Sequence, residues 1–197
     1  MTGLTAFLKE NYYPNYVFKF GNSNYNNSSG ASSSRKRGGD PYARGRDVDL
    51  EIRRWIENGT PVTHPYAEKF IAFLRTKNLT PEAAQVHVNK SRLETYIDAV
   101  VLDEKKRRFV VEVKTGFHGY HEAASDRMRK DFAFLSNCPR NQHVLQAAFS
   151  EQMYRYTHVG KSVAGSFVLR INDAGVQVVR TPAKINAVAT KVLSQLQ

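Results

Sequence analysis

Two short apolar runs, split by a wholly polar break, dominate the pattern of this chain. Ala99 to Leu102 and Phe109 to Val113 are rich in β-branched residues, which predicts buried strands from Leu93 to Leu102 and from Phe109 to Thr115. Between them, Asp103-Glu104-Lys105-Lys106-Arg107-Arg108 has no apolar residue and predicts a hairpin connection. Upstream the period changes. Val48, Ile52, Trp55 and Ile56 recur at helical spacings, giving a helix from Tyr42 to Asn58 that Asn58-Gly59 closes. Ala67, Phe70, Ile71 and Leu74 predict a second helix from Pro65 to Lys77, and Gln85 to Val88 reads as a further strand. Downstream the pattern predicts helices from His121 to Leu135 and from Pro139 to His158. A hairpin follows, Val163 to Ile171 and Val176 to Arg180 around Asn172-Asp173-Ala174-Gly175, then a closing helix from Ile185 to Leu196. Helix, three strands, helix, strand is an α/β pattern with helices packed on a sheet.

The ends of the chain are organised differently. Residues 1–20 hold a short helical pattern, Leu4 to Leu8, and an aromatic run from Tyr12 to Phe20, a lead-in expected to pack on the core. Residues 21–41 are rich in Asn, Ser and Gly, too polar to bury apolar area, and read as a flexible loop carrying Arg35-Lys36-Arg37. Residues 42–197 form the main domain, and no internal repeat is present.

Charge narrows the partners. With 29 Lys and Arg against 18 Asp and Glu, the formal net charge is +11, which favours a polyanion. No apolar run reaches membrane-spanning length and the amino terminus lacks a signal-peptide pattern, so a membrane partner is not expected. Cys138 is the single cysteine, which excludes a disulfide framework or a cysteine-rich zinc site. The expected compartment is intracellular, nuclear or cytoplasmic or a viral factory, rather than secreted. Gly160-Lys161-Ser162 lacks the upstream glycine of a phosphate loop, and the six histidines show no paired zinc spacing.

The chemistry sits at the ends of the two apolar runs. Asp98 lies on one predicted strand, and Glu112 and Lys114 lie two apart on the next, so both point to one face. Acids and a lysine so placed suit a divalent metal held against a phosphate.

Asp98, then Glu112-Val113-Lys114 on the adjacent strand, resembles the Asp, spacer, Glu-x-Lys core of the PD-(D/E)xK nuclease superfamily, with Ile97 at the proline of its name. Gly45-Arg46-Asp47-Val48-Asp49 resembles the first motif of its RecB and lambda-exonuclease-like branch, with Asp49 where histidine is usual. The resemblance implies a restriction-endonuclease-like αβββαβ core, a mixed sheet flanked by helices. It implies a metal-dependent nuclease acting on DNA rather than RNA and exonuclease-like, the alternatives being a structure-specific or RNA-cleaving endonuclease or an inactive nucleic-acid-binding protein. Asp98, Glu112, the Val113 carbonyl and Asp49 are then the ligands of Mg²⁺ or Mn²⁺, with Glu51 as the fallback for Asp49. Lys114 positions or deprotonates water, and near metal ions it should lose its proton more readily than usual. The branch also implies a supporting Gln followed by Tyr, for which Gln152 with Tyr156 competes with Gln146. Candidate nucleic-acid contacts are Arg35, Lys36 and Arg37, then Lys105, Lys106, Arg107 and Arg108, then Arg127, Arg129 and Lys130. An oligomer is possible, by analogy alone.

Overall fold

The two β-branched runs pair as expected and organise the rest. In the computed structural model, which describes residues 1–14, 41–116, 120–121 and 126–196, β3 (Leu93–Leu102) and β4 (Arg108–Thr115) form an antiparallel ladder. β2 (Thr80–Lys90) runs antiparallel along the other edge of β3, while β5 (Val163–Asn172) lies parallel to β4 and carries β6 (Gly175–Arg180) in a hairpin. A two-residue β1 (Thr2–Gly3) joins β3 in parallel at Leu93 and Glu94. The result is a mixed six-stranded sheet.

Helices cover both faces, which is why the central strands are apolar on both sides. On one face lie α1 (Leu4–Tyr12), α4 (Pro139–Thr157) and α5 (Ala183–Gln195), whose Leu8, Phe149 and Ala189 share a core with Val100, Val110 and Val168. On the other lie α2 (Pro41–Asn58) and α3 (Pro65–Thr76), whose Val48, Ile52 and Phe70 pack against Ala99, Val111 and Leu169. Each such Val, Leu, Ile or Phe side chain, withdrawn from water, contributes about 1.5–3 kcal/mol before entropy is subtracted. α2 stops at Gly59, whose φ of +68° accepts the left-handed turn that brings its N–H back to the Trp55 carbonyl at 2.9 Å. α3 starts with Pro65 behind His64, whose Nδ1 accepts the Tyr66 N–H at 3.1 Å.

Two expectations change. β2 begins at Thr80, well before Gln85; Pro81 is tolerated there because β2 is an edge strand and its register slips beside the proline. The expected helix from His121 to Leu135 does not form in its described part. Only Lys130–Phe132 makes a 3₁₀ turn, inside a loop closed by an Arg127–Ser136 bridge. Met128 and Phe132 are buried as their pattern asked, but the loop's backbone bonds elsewhere: Met128 N–H to the Leu135 carbonyl and Arg129 N–H to the Tyr12 carbonyl, each at 2.9 Å. Tertiary bonding there outweighs a local helical pattern. The basic cluster Arg35-Lys36-Arg37 and residues 21–40 of the predicted loop lie outside the described residues.

Candidate active site where two strands part

The β3–β4 ladder stops short. Its pairs run from Leu102 with Arg108 to Ala99 with Val111, and the next opposed residues would be Asp98 and Glu112. They are unpaired; instead Asp98 Oδ2 accepts the Val113 N–H at 2.7 Å, so a carboxylate takes the place of a strand partner. β2 breaks at the same level. Gln85 stands opposite Asp98, between the pairs Ala84–Ala99 and Val86–Ile97, and adopts a left-handed φ of +48°. Side-chain alternation also switches there: Ala99 and Val101 face the α2–α3 core, whereas Leu93 and Ile97, at the same parity, face the α4 core. A kink through two strands thus opens the sheet at Asp98.

Into this opening come groups from both layers. Asp49, on the α2 face that also buries Val48 and Ile52, accepts the Gln85 amide on Oδ1 at 2.8 Å and on Oδ2 at 3.0 Å. Gln85 also counters, to a smaller extent, the rise in the Asp98 pKa. Lys114 Nζ donates to Glu112 Oε1, with 19% and 2% of the two side chains exposed, while Glu112 Oε2 is buried without a hydrogen-bond partner. Behind Lys114, the ring of Tyr120 lies 5.7 Å from that of His143 on α4, and the Arg170 guanidinium lies 4.7 Å from the Tyr120 ring centre. Arg170 is the β5 residue registered with Lys114.

Burial and mutual repulsion set the protonation of this cluster. Burial, then Asp98, pushes Asp49 up to about 6, against the Gln85 amide and Lys114. Burial, then Asp98, takes Glu112 up to about 7, with Lys114 opposing. Asp98 is also raised by burial, against Lys114, the Val113 N–H and Gln85. Burial alone would lower Lys114, but Glu112 and Asp98 outweigh it and hold the ammonium above its ordinary value. The expectation of an easily lost proton concerned Lys114 beside bound metal ions; among the chain's own groups the two acids dominate. His143 is held well below its ordinary value by burial and by Lys114, so it is neutral at physiological pH.

Thr115-Gly116 closes the site. Gly116 has φ +69°, and a Cβ there would lie 2.1 Å from Arg44 Nη2. Arg44, on the first described turn of α2, also lies 5.5 Å from the Tyr66 ring centre. A Cβ on Gly45 would reach Thr115 Oγ1 at 3.7 Å. Small residues thus let the α2 amino end settle on the end of β4, which places Asp49 one turn further along.

Other expected residues fall elsewhere. Glu51 is spent on the loop before α3, accepting from the Thr63 N–H, the Thr63 hydroxyl and the His64 N–H, each at 2.8 Å, and these bonds hold its carboxyl below the ordinary value. Gln146 is half-buried on α4, three residues beyond His143. Gln152 is buried further along, and the Tyr156 ring, 39% exposed, sits under Lys90 at 4.8 Å. Tyr156 therefore lies toward the Lys90 end of β2, while Gln146 follows His143 by one turn of α4. At the far end of β4, Arg108 is bonded to Glu82 at 2.7 Å and Arg107 to Asp103 at 2.7 Å. Arg127 donates to the Phe134 carbonyl, and Lys130 to Asn11 Oδ1 at 2.6 Å.

Gln85, Arg44, Tyr120 and Arg170 were not anticipated. Two left a trace: Gln85 interrupts Ala84 and Val86, and Arg170 interrupts Leu169 and Ile171, polar residues inside apolar runs. No group of three or more His, Cys, Asp or Glu with metal-binding spacing occurs among the described residues, where Gln85, the Val113 N–H and Lys114 engage the three carboxylates.

No family model and no curated protein matches this chain. Among solved structures, the one described as "Crystal structure of SSO0001" aligns with 77% of this chain and 74% of its own, at 12% identity and a TM-score of 0.34. That likeness is too distant to carry fold or function across. No helix among the described residues is long and apolar enough to cross a membrane.

Proposed function

We propose that this chain is a metal-dependent nuclease that hydrolyses phosphodiester bonds in DNA, exonuclease-like, with a restriction-endonuclease-like core. The observation that carries the reading is the meeting of Asp49, Asp98, Glu112 and Lys114 where β3 leaves β4. Burial raises the proton affinity of all three carboxylates, and Asp98 raises that of Asp49 and Glu112 further, so the site gains from a cation. Glu112 Oε2, buried and without a partner, is an oxygen donor awaiting one. Hard oxygen donors suit Mg²⁺ or Mn²⁺, held by Asp98, Glu112 and the Val113 carbonyl with Asp49 beside them. When bound, the ion would supply Lewis acidity toward a phosphate and a more acidic water.

The chain's own residues have separable tasks. Asp98 and Glu112 hold negative charge in a buried place, and the Gln85 amide holds the Asp49 carboxylate beside them. The raised Lys114 remains an ammonium at neutral pH, so it acts as a donor that neutralises charge developing on a phosphoryl oxygen. Arg44 and Arg170 flank it as further cations for the polyanion. The net charge of +11 draws such a partner from a distance.

The second reading, a nucleic-acid-binding protein of the same fold without catalysis, is favoured by the engagement of all three carboxylates with protein donors. One experiment separates the two. Linear, circular and single-stranded DNA and RNA are incubated with the chain and Mg²⁺ or Mn²⁺, beside Asp98→Ala and Lys114→Ala. Cleavage that falls about 100-fold or more in each variant supports the nuclease. Tight binding with every substrate left whole rejects it, and loss of linear DNA alone supports the exonuclease form over a structure-specific or RNA-cleaving endonuclease.

A further inference from the structure

β2 and β3 run on past the kink at Asp98, paired from Val86 with Ile97 to Lys90 with Leu93. One side of this extension is covered: Val86, Val88, Leu93 and Ile97 face the α4 core. By alternation, His87, Asn89, Glu94 and Tyr96 face the other way, the side on which α2 brings Asp49 to Gln85. His87, Asn89 and Tyr96 are exposed there, and Glu94 is half-buried. Tyr96, 57% exposed, is the most exposed Tyr, Phe or Trp among the described residues.

The ring is exposed but braced. Its cross-strand neighbour is His87, whose ring centre lies 5.0 Å away at an interplanar angle of 39°. His87 Nε2 in turn lies 3.3 Å from Glu94 Oε2. A carboxylate steadies an imidazole, and the imidazole props the phenol from one side. Tyr96 is two residues before Asp98, about 7 Å along an extended strand, or roughly two base steps of about 3.4 Å. A base on this ring and a phosphate at the acids therefore belong to the same stretch of one strand. Two cations serve that stretch: Lys114, and the half-exposed Arg53, which is bonded to Glu57 and stands close enough to lower the proton affinity of Asp49.

We propose that the Tyr96 ring is a stacking platform for a nucleobase of single-stranded DNA, beside the acid cluster. The proposal rests on the nuclease reading only in taking the neighbouring phosphate as the one that is cut. A base inside a duplex has both faces covered by its neighbours, so only a terminal, splayed or single-stranded base can offer a face to a protein ring. The platform thus selects the state of the strand and not its sequence, since every base has such a face. A protein partner would find one ring set among His87, Asn89 and Glu94, with little apolar area to bury, whereas one ring is all that a base needs.

The test is fluorescence anisotropy with the full chain in EDTA, so that the probes stay whole. The probes are a single-stranded oligonucleotide, a strand of the same length built from abasic residues, and a blunt duplex. Tyr96→Ala should weaken binding of the intact single strand about tenfold or more, and Tyr96→Trp should restore it. The melting temperature and the affinities for the duplex and the abasic strand should not move. Absence of single-strand binding overturns the proposal, as does a Tyr96→Ala variant that binds the intact strand like the wild type, or one that loses the abasic strand equally. A dimer that Tyr96→Ala dissociates, with DNA binding unchanged, also overturns it and assigns the ring to a contact between copies of the chain. The two readings fail separately. Cleavage in Mg²⁺ with binding indifferent to Tyr96 rejects the platform alone, whereas Tyr96-dependent binding with every substrate left whole rejects the nuclease and keeps the platform.

Discussion

Gln85 holds Asp49 by both carboxylate oxygens, at 2.8 and 3.0 Å, from a backbone position of φ +48° inside a strand. Such a conformation costs a non-glycine residue on the order of 1 kcal/mol and persists where its surroundings demand it. Here it turns an amide between two acids that repel each other. Gln85→Leu removes the amide and leaves the repulsion, so the Asp49 titration, followed by NMR, should move above about 6. Gln85→Gly, which relaxes the backbone but also lacks the amide, should do the same. A midpoint unmoved in both variants would contradict a role for the amide in setting the charge of Asp49.

The acid cluster dictates a pH dependence of stability. Asp49 is raised from 3.8 to about 6 and Glu112 from 4.5 to about 7, so the folded state holds their protons more firmly than the unfolded chain. Their contribution is therefore favourable at low pH and is lost as pH rises through those windows. Between pH 4 and about 7 the melting temperature should carry a falling component, reduced in Asp49→Asn and again in the double variant with Glu112→Gln. Added Mg²⁺ should restore stability at pH 8 and do little at pH 4, by about 2.7 kcal/mol at a concentration 100 times its dissociation constant.

Lys114 is the cation nearest a nearly buried acid. Lys114→Met leaves Glu112 without its partner, and an uncompensated buried charge costs about 3–5 kcal/mol. Protonation of Glu112 removes that cost. Chemical denaturation should therefore show a large loss at pH 8 and a small one at pH 5, and equal losses at both would show that packing, not charge, is what Lys114 supplies.

Gly116 is the point where β4 and α2 touch. Gly116→Ala imposes a left-handed φ on a residue with a Cβ, costing about 1 kcal/mol, and drives Arg44 from its place. Thermal denaturation should show the small loss. DNA affinity should fall by about the amount seen in Arg44→Ala, and by much more than in Arg107→Ala, whose guanidinium is already bonded to Asp103.

The paired strands and the acids on them were legible because burial writes itself as short β-branched runs, and polar residues at their ends stand out against that background. Asp98, Glu112 and Lys114 came from that contrast. Glu51 was legible as an acid near Asp49 but not as a ligand of loop N–H groups, since Thr63 and His64 meet it only after α2 and α3 dock. The missing helix after His121 has the same origin: Met128 and Phe132 carry a helical spacing, while the bonds that decide the loop reach back to Tyr12. Arg44 and Tyr120 carry no local mark at all, because their partners lie far away in the chain.

The opening at Asp98 has a consequence for how far this sheet can be strengthened. A carboxylate there occupies a position that, in an unbroken ladder, a neighbouring strand would take. A sequence that let β3 and β4 close beyond Ala99 would gain backbone hydrogen bonds and lose the gap between strands in which the acids meet. Stability and the acid cluster compete for the same few residues, so stabilising variants chosen by melting temperature alone should collect at this seam and, on the nuclease proposal, lose cleavage.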